Sequence, residues 1–187
     1  MRDTSMGSGK VVVNRTMSLD GFTAGPGDAM DWIFDFMAPD AAWVMETAAA
    51  TGAMLIGRRT YEVGKRMADN RSEVTPGYDG GAEFVLTHEP PDPPDPGVTF
   101  LTGDIGEAVA TALHAAGGKN LEILGSDVAR QCLRRGLVDE ILVYVLPVLL
   151  GDGIRFFSSP GLARIDLEPL GSTRSGAVTV LRFRVRK

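Results

Sequence analysis

One stretch of the chain constrains its fold more than any other. Residues 53–64 read AMLIGRRTYEVG, an apolar run followed by one glycine and then by the start of a helix. The pattern predicts a buried strand that passes through Gly57 into the first turn of that helix. At such a junction the glycine lets a ligand approach the backbone, and the unpaired N–H groups of the helix favour an anion. The segment therefore predicts a phosphate site at the end of a strand.

Two arginines, Arg58 and Arg59, stand at this helix start. Guanidinium groups bind phosphate through paired hydrogen bonds, so the pair indicates an anion with more charge than a helix end alone would select. The alternative is that both side chains are solvated surface residues.

A second junction of the same kind occurs in residues 121–129, LEILGSDVA. Here Gly125 follows the strand and Ser126 is expected to cap the helix. Two such junctions can hold the two ends of one dinucleotide. Neither has the G-x-G-x-x-G spacing of the dinucleotide fingerprint, and Lys119 precedes a strand where a P-loop lysine would follow one.

Composition and charge narrow the class of protein. A chain of 187 residues that is 44% hydrophobic has the size and apolar content of one domain. A net charge of -5 without a long basic run argues against nucleic acid or an anionic membrane as partner. The lone Cys132, expected to be buried on a helix face, fits a reducing compartment and hence the cytoplasm. No metal site is expected.

The order of strand and helix patterns predicts a three-layer α/β domain over residues 11–187, after a flexible N-terminal extension over residues 1–10. Besides the two junctions, the sequence predicts strands at 11–13, 82–86, 98–101 and 141–150, an alanine-rich helix after Asp40 that Gly52 ends, a loop over 65–81, a proline-rich connector at 89–96, a helix at 104–116, and a C-terminal antiparallel pair at 165–170 and 177–185.

These residues carry a family resemblance. Residues 39–43, PDAAW, and 54–62, MLIGRRTYE, resemble the substrate carboxylate helix and the cofactor turn of dihydrofolate reductase. Residues 17–22, MSLDGF, and the segments 136–140 and 147–153 are similar to the reductase domain of bifunctional riboflavin-biosynthesis deaminase-reductases. The resemblance covers nearly the whole chain after Lys10. It implies a dihydrofolate-reductase-like α/β/α fold, with a mostly parallel sheet and an antiparallel C-terminal hairpin.

The resemblance also implies a function. It points to an NADPH-dependent, stand-alone bacterial reductase of a small pyrimidine- or pterin-like substrate, related to the riboflavin-pathway 5-amino-6-(5-phosphoribosylamino)uracil reductase, and to a homodimer. Asp40 matches the carboxylate that holds and helps protonate the substrate, with Asp20 in reserve. The residues implied for NADPH are Gly57, Arg58, Arg59, Thr60, Thr87, Gly125, Ser126, Asp127 and Val128. Those implied for the substrate are Phe22, Asp31, Trp32 and Trp43.

Simpler roles remain open for several of these residues. Asp40 can be a helix cap, Asp20 a turn residue before glycine, and His88, next to Thr87, a surface residue. Phe22 and Leu124 also stand where the riboflavin reductases have a basic residue and a glutamate. These departures remove polar groups expected near the substrate and leave the cofactor elements intact. Dihydrofolate reductase activity and a non-catalytic NADPH-binding or sensing protein are the alternative functions.

Overall fold

The structure, a computed structural model, describes residues 9–36, 42–69, 81–158 and 160–187. The strands are β1 (Val11–Ser18), β2 (Phe22–Ala24), β3 (Thr51–Gly57), β4 (Ala82–Leu86), β5 (Val98–Leu101), β6 (Asn120–Leu124), β7 (Glu140–Leu146), β8 (Ile154–Arg155), β9 (Leu167–Ser175) and β10 (Val178–Val185). The helices are α1 (Ala42–Ala50), α2 (Arg58–Asp69), α3 (Ile105–Ala115) and α4 (Ser126–Arg134), with single 3-10 turns at Pro26–Asp28 and Asp31–Ile33.

The main sheet has 8 strands in the order β5-β4-β3-β6-β1-β7-β10-β9. All neighbours from β5 through β7 run parallel, whereas β10 is antiparallel to both β7 and β9. A second sheet pairs β2 with β8 in antiparallel fashion. The mostly parallel sheet and its antiparallel C-terminal hairpin confirm the fold that the sequence predicted.

The helices form the two outer layers. The larger core cluster joins β-strand residues such as Val13 and Ile123 to Val109 of α3 and Cys132 of α4, so these two helices cover one face. On the other face Trp43 of α1 stacks on Tyr144 of β7, with ring centroids 4.2 Å apart. Right-handed crossovers place α2, which links β3 to β4, on the same face as α1. The N-termini of α2 and α4 therefore both lie at the carboxyl edge of the sheet.

Three boundaries differ from the prediction for physical reasons. Helix α2 continues to Asp69, where a loop was expected from Lys65, and Asp95 of the proline-rich connector accepts hydrogen bonds from both Tyr61 and Lys65. Strand β7 ends at Leu146 because Pro147 lacks the N–H that a strand interior requires.

Gly52 does not end a helix, because α1 gives way to β3 at Thr51. Its role is close packing, since a Cβ atom at Gly52 would lie 2.1 Å from the carbonyl oxygen of Ala116. The sequence pattern identified the special residue but not the contact that requires it.

Glu140 in β7 is a buried carboxylate with two cationic partners. Lys10 Nζ lies 2.5 Å from its Oε1 and Arg182 Nη2 lies 2.7 Å from its Oε2. Burial alone would raise the pKa of Glu140, but the hydrogen bonds from Lys10 and Arg182 outweigh it and the pKa is lowered. Lys10, which the sequence placed in the N-terminal extension, is thus bonded to the sheet.

Asp20 joins the end of β1 to the loop after β7. Its Oδ1 accepts from Ser18 Oγ at 2.7 Å and from the Leu150 N–H at 3.1 Å, and its Oδ2 accepts from the Gly151 N–H at 2.8 Å. The Ser18 hydrogen bond contributes most to lowering the pKa of Asp20 to about 2, with help from the backbone amides. The carboxylate therefore holds two loops together in its ionised form.

Replacing Asp20 by Asn should make the stability difference from wild type depend on pH. A carboxyl group whose pKa is lowered on folding stabilises the fold above its unfolded pKa of 3.8, and this contribution disappears as pH falls through about 2. We expect Asp20→Asn to unfold at a lower urea concentration than wild type at pH 7, and the gap between their midpoints to narrow below about pH 4. The exposed Asp35→Asn serves as control. A gap that stays constant from pH 7 to the lowest pH at which both proteins fold would contradict this role.

Candidate functional site

A cleft of about 730 Å³ lies where the parallel strands β3, β6 and β1 approach their carboxyl ends. Open α/β sheets bind ligands outside this edge. All the residues that the sequence assigned to the cofactor line the cleft, namely Gly57, Arg58, Arg59, Thr60, Thr87, Gly125, Ser126, Asp127 and Val128. The fold thus brings both strand–glycine–helix junctions to one cavity.

The two junctions lie against each other. A Cβ atom at Gly125 would be 2.7 Å from Thr60 Oγ1 and 3.7 Å from the Gly57 nitrogen, and Gly125 has a φ of 99°. A side chain at this position would be strained and would collide with the Thr60 hydroxyl. The N-termini of α2 and α4 therefore open on the same part of the cleft, whereas the sequence suggested that they hold opposite ends of one ligand.

Both arginines at the start of α2 already have carboxylate partners. Arg58 Nε lies 2.8 Å from Glu62 Oε1, one helical turn away. Arg59 binds Asp28 through two nitrogens, with Nη2 2.7 Å and Nε 3.1 Å from Oδ1. Their side chains are 54% and 72% exposed, so a ligand entering the cleft can reach them and displace these partners.

In the lining of the cleft, Asp28 pairs with arginines of α2, an arrangement here called the Asp28 clasp. Besides Arg59, its carboxylate lies 3.6 Å from Arg66 Nη2. Its backbone has a φ of 64°, in the left-handed region that few residues other than glycine, asparagine and aspartate adopt. A strained residue that connects the loop after β2 to helix α2 is typical of a segment that borders a binding site.

Arg15 is the cleft residue that sequence reasoning missed. It lies in β1 and lines the cavity, yet its buried Nε atom has no hydrogen-bond partner among the described residues. Burial lowers the pKa of Arg15 to about 10, so the side chain remains cationic at neutral pH. The signal for it was a charged residue in a strand that begins with three valines and that is expected to be buried, VVVNRTM.

Ser126 has a different role from the predicted one. Gly125 occupies the N-cap position of α4 and Ser126 is the first helical residue, so Ser126 does not cap the helix. Its buried Oγ has no hydrogen-bond partner within the described part of the chain, and it lines the cleft. A buried hydroxyl without a partner at a helix N-terminus is available to a ligand.

Thr87 and His88 follow β4 at the edge of the cleft. The Thr87 hydroxyl accepts from the Glu89 N–H at 3.2 Å and donates to the Glu89 carbonyl, also at 3.2 Å, so it stabilises the turn that begins the proline-rich connector. His88 lines the cleft and is exposed, in agreement with the surface position that the sequence favoured.

The four residues predicted to bind the substrate lie outside the described cleft lining. Phe22 is buried under the Arg155 guanidinium, whose Cζ is 4.5 Å from the ring centroid, and Asp31 is exposed. Trp43 and Trp32 pack in the smaller core cluster, where Trp32 Nε1 is buried without a partner among the described residues. Substrate binding by these residues remains a prediction.

The two predicted catalytic carboxylates differ in what the structure reveals. Asp40 lies outside the described residues. Asp20 is bonded to Ser18, Leu150 and Gly151, and a pKa of about 2 does not suit a proton donor at neutral pH. These contacts favour a structural role for Asp20, as a turn residue before glycine, over a role in catalysis.

The donors on the cleft lining fit an anionic dinucleotide. The first turns of α2 and α4, the buried Arg15 Nε and the buried Ser126 Oγ all offer N–H or O–H groups that an oxygen-rich ligand can use. The glycines at both junctions leave room for a phosphate to approach the backbone.

The described ranges contain neither a candidate metal site nor a candidate membrane-spanning helix. There, no group of three or more His, Cys, Asp or Glu side chains is arranged to hold a metal ion. None of the helices in these ranges has the length and apolar character needed to cross a bilayer.

Solved structures share this fold. A protein from Shewanella sp. PV-4, named for riboflavin biosynthesis, has a TM-score of 0.77 at 21% identity, covering 95% of this chain and 99% of the other. Dihydrofolate reductase from Enterococcus faecalis, complexed with NADP(H), has a TM-score of 0.63 at 14% identity and covers 97% and 99%. The diaminohydroxyphosphoribosylaminopyrimidine deaminase/5-amino-6-(5-phosphoribosylamino)uracil reductase of Thermotoga maritima has a TM-score of 0.66 at 17% identity, with 96% of this chain matching 57% of that one.

Comparison of sequences identifies the family to which the chain belongs. The uncharacterized protein YwjB of Bacillus subtilis is 28% identical over 149 residues, which cover 79% of this chain and 82% of YwjB. The family model of the RibD C-terminal domain matches residues 9–181. Since this match spans nearly the whole length, the chain belongs to the RibD C-terminal domain family.

Proposed function

We propose that the protein is an NADPH-dependent reductase of a small heterocyclic substrate, pyrimidine-like or pterin-like. The observation that carries the proposal is the convergence of two helix N-termini on one cleft at the carboxyl edge of a parallel sheet. Such an arrangement favours a ligand with several negative charges close together, as the phosphates of a dinucleotide are. Membership of the RibD C-terminal domain family supports a reductase.

The residues of the two strand–glycine–helix junctions bind the cofactor in this proposal. The amides after Gly57 and Gly125 donate to phosphate oxygens, and the Thr60 and Ser126 hydroxyls lie in the same turns. Arg58 and Arg59 give a further phosphate a charged partner once they leave Glu62 and Asp28. When bound, the nicotinamide supplies a hydride, and the protein's task is to place the acceptor and deliver one proton.

The relatives support this choice of chemistry without naming the substrate. The Thermotoga protein is named for a uracil-derivative reductase joined to a deaminase, and this chain matches 57% of its length. The Enterococcus protein reduces dihydrofolate and was solved with NADP(H). Both names describe the reduction of a heterocycle, and the Enterococcus structure contains NADP(H). A cytoplasmic location is part of the proposal, since Cys132 is a buried free thiol.

Binding and turnover should be measured separately. Titration of the protein with NADPH tests the cofactor site, and loss of NADPH absorbance with a panel of aminopyrimidines, pterins and dihydrofolate tests the reaction. Binding with turnover supports the reductase and identifies its substrate class. Tight binding without turnover on the whole panel favours the sensing alternative, and the absence of binding contradicts both.

Arg58 and Arg59 should give the protein a preference for NADPH over NADH, because the extra 2′-phosphate offers them a charged partner. Arg58→Ala and Arg59→Ala should each weaken NADPH by about 1.5 to 3 kcal/mol and NADH much less. Arg164, whose side chain is 87% exposed and does not line the cleft, supplies the control Arg164→Ala. Equal affinities of the wild type for the two cofactors would refute the prediction.

Asp40 is proposed to face the acceptor ring and assist its protonation, as the resemblance to dihydrofolate reductase implies. Asp40→Asn should leave NADPH affinity nearly unchanged and reduce turnover about a hundredfold or more, the usual share of general acid catalysis. Asp35→Asn, which changes an exposed aspartate that has no assigned role in binding or catalysis, is the matched control. Full turnover by Asp40→Asn on an identified substrate would leave Asp40 with the role of a helix cap.

A homodimer is also proposed. Strand β9 is one of the two edge strands of the main sheet, and Leu167 and Leu170 on it are 38% and 36% exposed. An open edge with apolar side chains calls for a cover, which a second copy can supply. Sedimentation at micromolar concentration should show twice the chain mass of 19.9 kDa. A single species at the chain mass would reject the dimer.

A further inference from the structure

Arg15 is a half-buried cation, with a buried Nε atom, for which the described residues supply no counter-ion. Its Nε makes no hydrogen bond to them, although it lies within the wall of the cleft. An unpaired buried charge lowers stability, so proteins retain one chiefly where a ligand or partner completes it. The position therefore calls for an anion that enters the cleft.

The register of the sheet locates Arg15 beside the start of α4. Strand β1 pairs with β6 so that Val13 lies opposite Ile123, which sets Arg15, two residues on, level with Gly125. Side chains two apart in a strand share a face, and Val13 belongs to the core cluster beneath α3 and α4. Arg15 thus points to the same side as α4, at the level of its first turn.

The two aspartates that line the cleft are already paired with cationic or amide side chains. Asp28 bonds Arg59 and lies near Arg66, and Asp127 bonds Arg130 and Gln131. Neither carboxylate is among the hydrogen-bond or ion-pair partners of Arg15. An incoming anion therefore meets an uncommitted guanidinium, an uncommitted Ser126 hydroxyl and a helix N-terminus together.

We propose that Arg15 binds the bridging diphosphate of the nicotinamide dinucleotide, together with Ser126 and the first turn of α4. This inference rests on the proposed function and adds a residue to its cofactor site. Arg58 and Arg59 begin α2, directly after β3. Arg15 lies on β1, which is separated from β3 by β6. The two sets of arginines thus serve different anions, the diphosphate for Arg15 and the 2′-phosphate for Arg58 and Arg59.

The test compares both cofactors on Arg15 variants. Because NADPH and NADH share the diphosphate, Arg15→Met should weaken both about 10- to 100-fold and by a similar factor, as expected for loss of one charge-assisted contact. Arg15→Lys, which keeps the charge but not the fork, should recover part of the loss for both. Arg58→Ala, by contrast, should weaken chiefly NADPH.

The Arg15→Met substitution keeps an apolar side chain of similar length and removes the unpaired charge of the guanidinium. The melting temperature of the ligand-free Arg15→Met protein should therefore equal or exceed that of wild type, which separates loss of binding from loss of folding. Arg164→Met, an exposed arginine away from the cleft, is the matched control and should change neither property.

The outcomes separate this inference from the proposed function. If the wild type binds both dinucleotides and Arg15→Met binds them within twofold of wild type, the inference is wrong and the proposed function stands. A loss confined to NADPH would assign Arg15 to the 2′-phosphate and also overturn the inference. If the wild type binds neither dinucleotide, both proposals fail.

Discussion

The pairing of β3 with β6 is the constraint on which the cleft depends. Because these two strands are parallel neighbours, the turns that follow them emerge side by side, although Gly57 and Gly125 are far apart in the chain. Neither junction tolerates a bulky residue, since a Cβ at Gly57 would meet Val128 at 3.2 Å and one at Gly125 would meet Thr60. Two partial positive helix ends are thereby fixed against each other, and the rest of the cleft is built around them.

Within the described residues, carboxylates near the cleft neutralise most of its arginines, so the chain can fold with several positive charges close together. Asp28 and Glu62 neutralise the arginines of α2, and Asp127 does the same for Arg130 on α4. The Arg58–Glu62 and Arg130–Asp127 pairs are exposed and individually weak, so they reduce repulsion around the cleft without closing it to a stronger anion. Arg15 is different because no carboxylate of the described residues pairs with it, and the cost of its charge is offset by the well-packed sheet around it.

Local sequence patterns were sufficient for the fold and for the backbone of the candidate site. Alternation of apolar runs, glycines and helix formers identified both junctions and the closing hairpin, since each of these depends on near neighbours in sequence. The cap predicted at Ser126 was wrong because Gly125 already turns the chain into the helix. Arg15 and the Asp28 clasp escaped notice because their significance lies in contacts, or the lack of them, between residues distant in sequence. Asp20 was identified as important, but only the hydrogen bonds from Leu150 and Gly151 revealed its structural role.

A ligand that binds Arg59 in the cleft must replace Asp28 as the partner of that arginine. A small anion such as a single phosphate would have to separate Arg59 from a carboxylate that already binds it through two nitrogens, and would gain little in return. A ligand that is held at several points can displace Asp28 because its other contacts raise its effective concentration at this corner. The Arg59–Asp28 pair therefore favours ligands that bind the cleft at several points over ions that would bind at Arg59 alone.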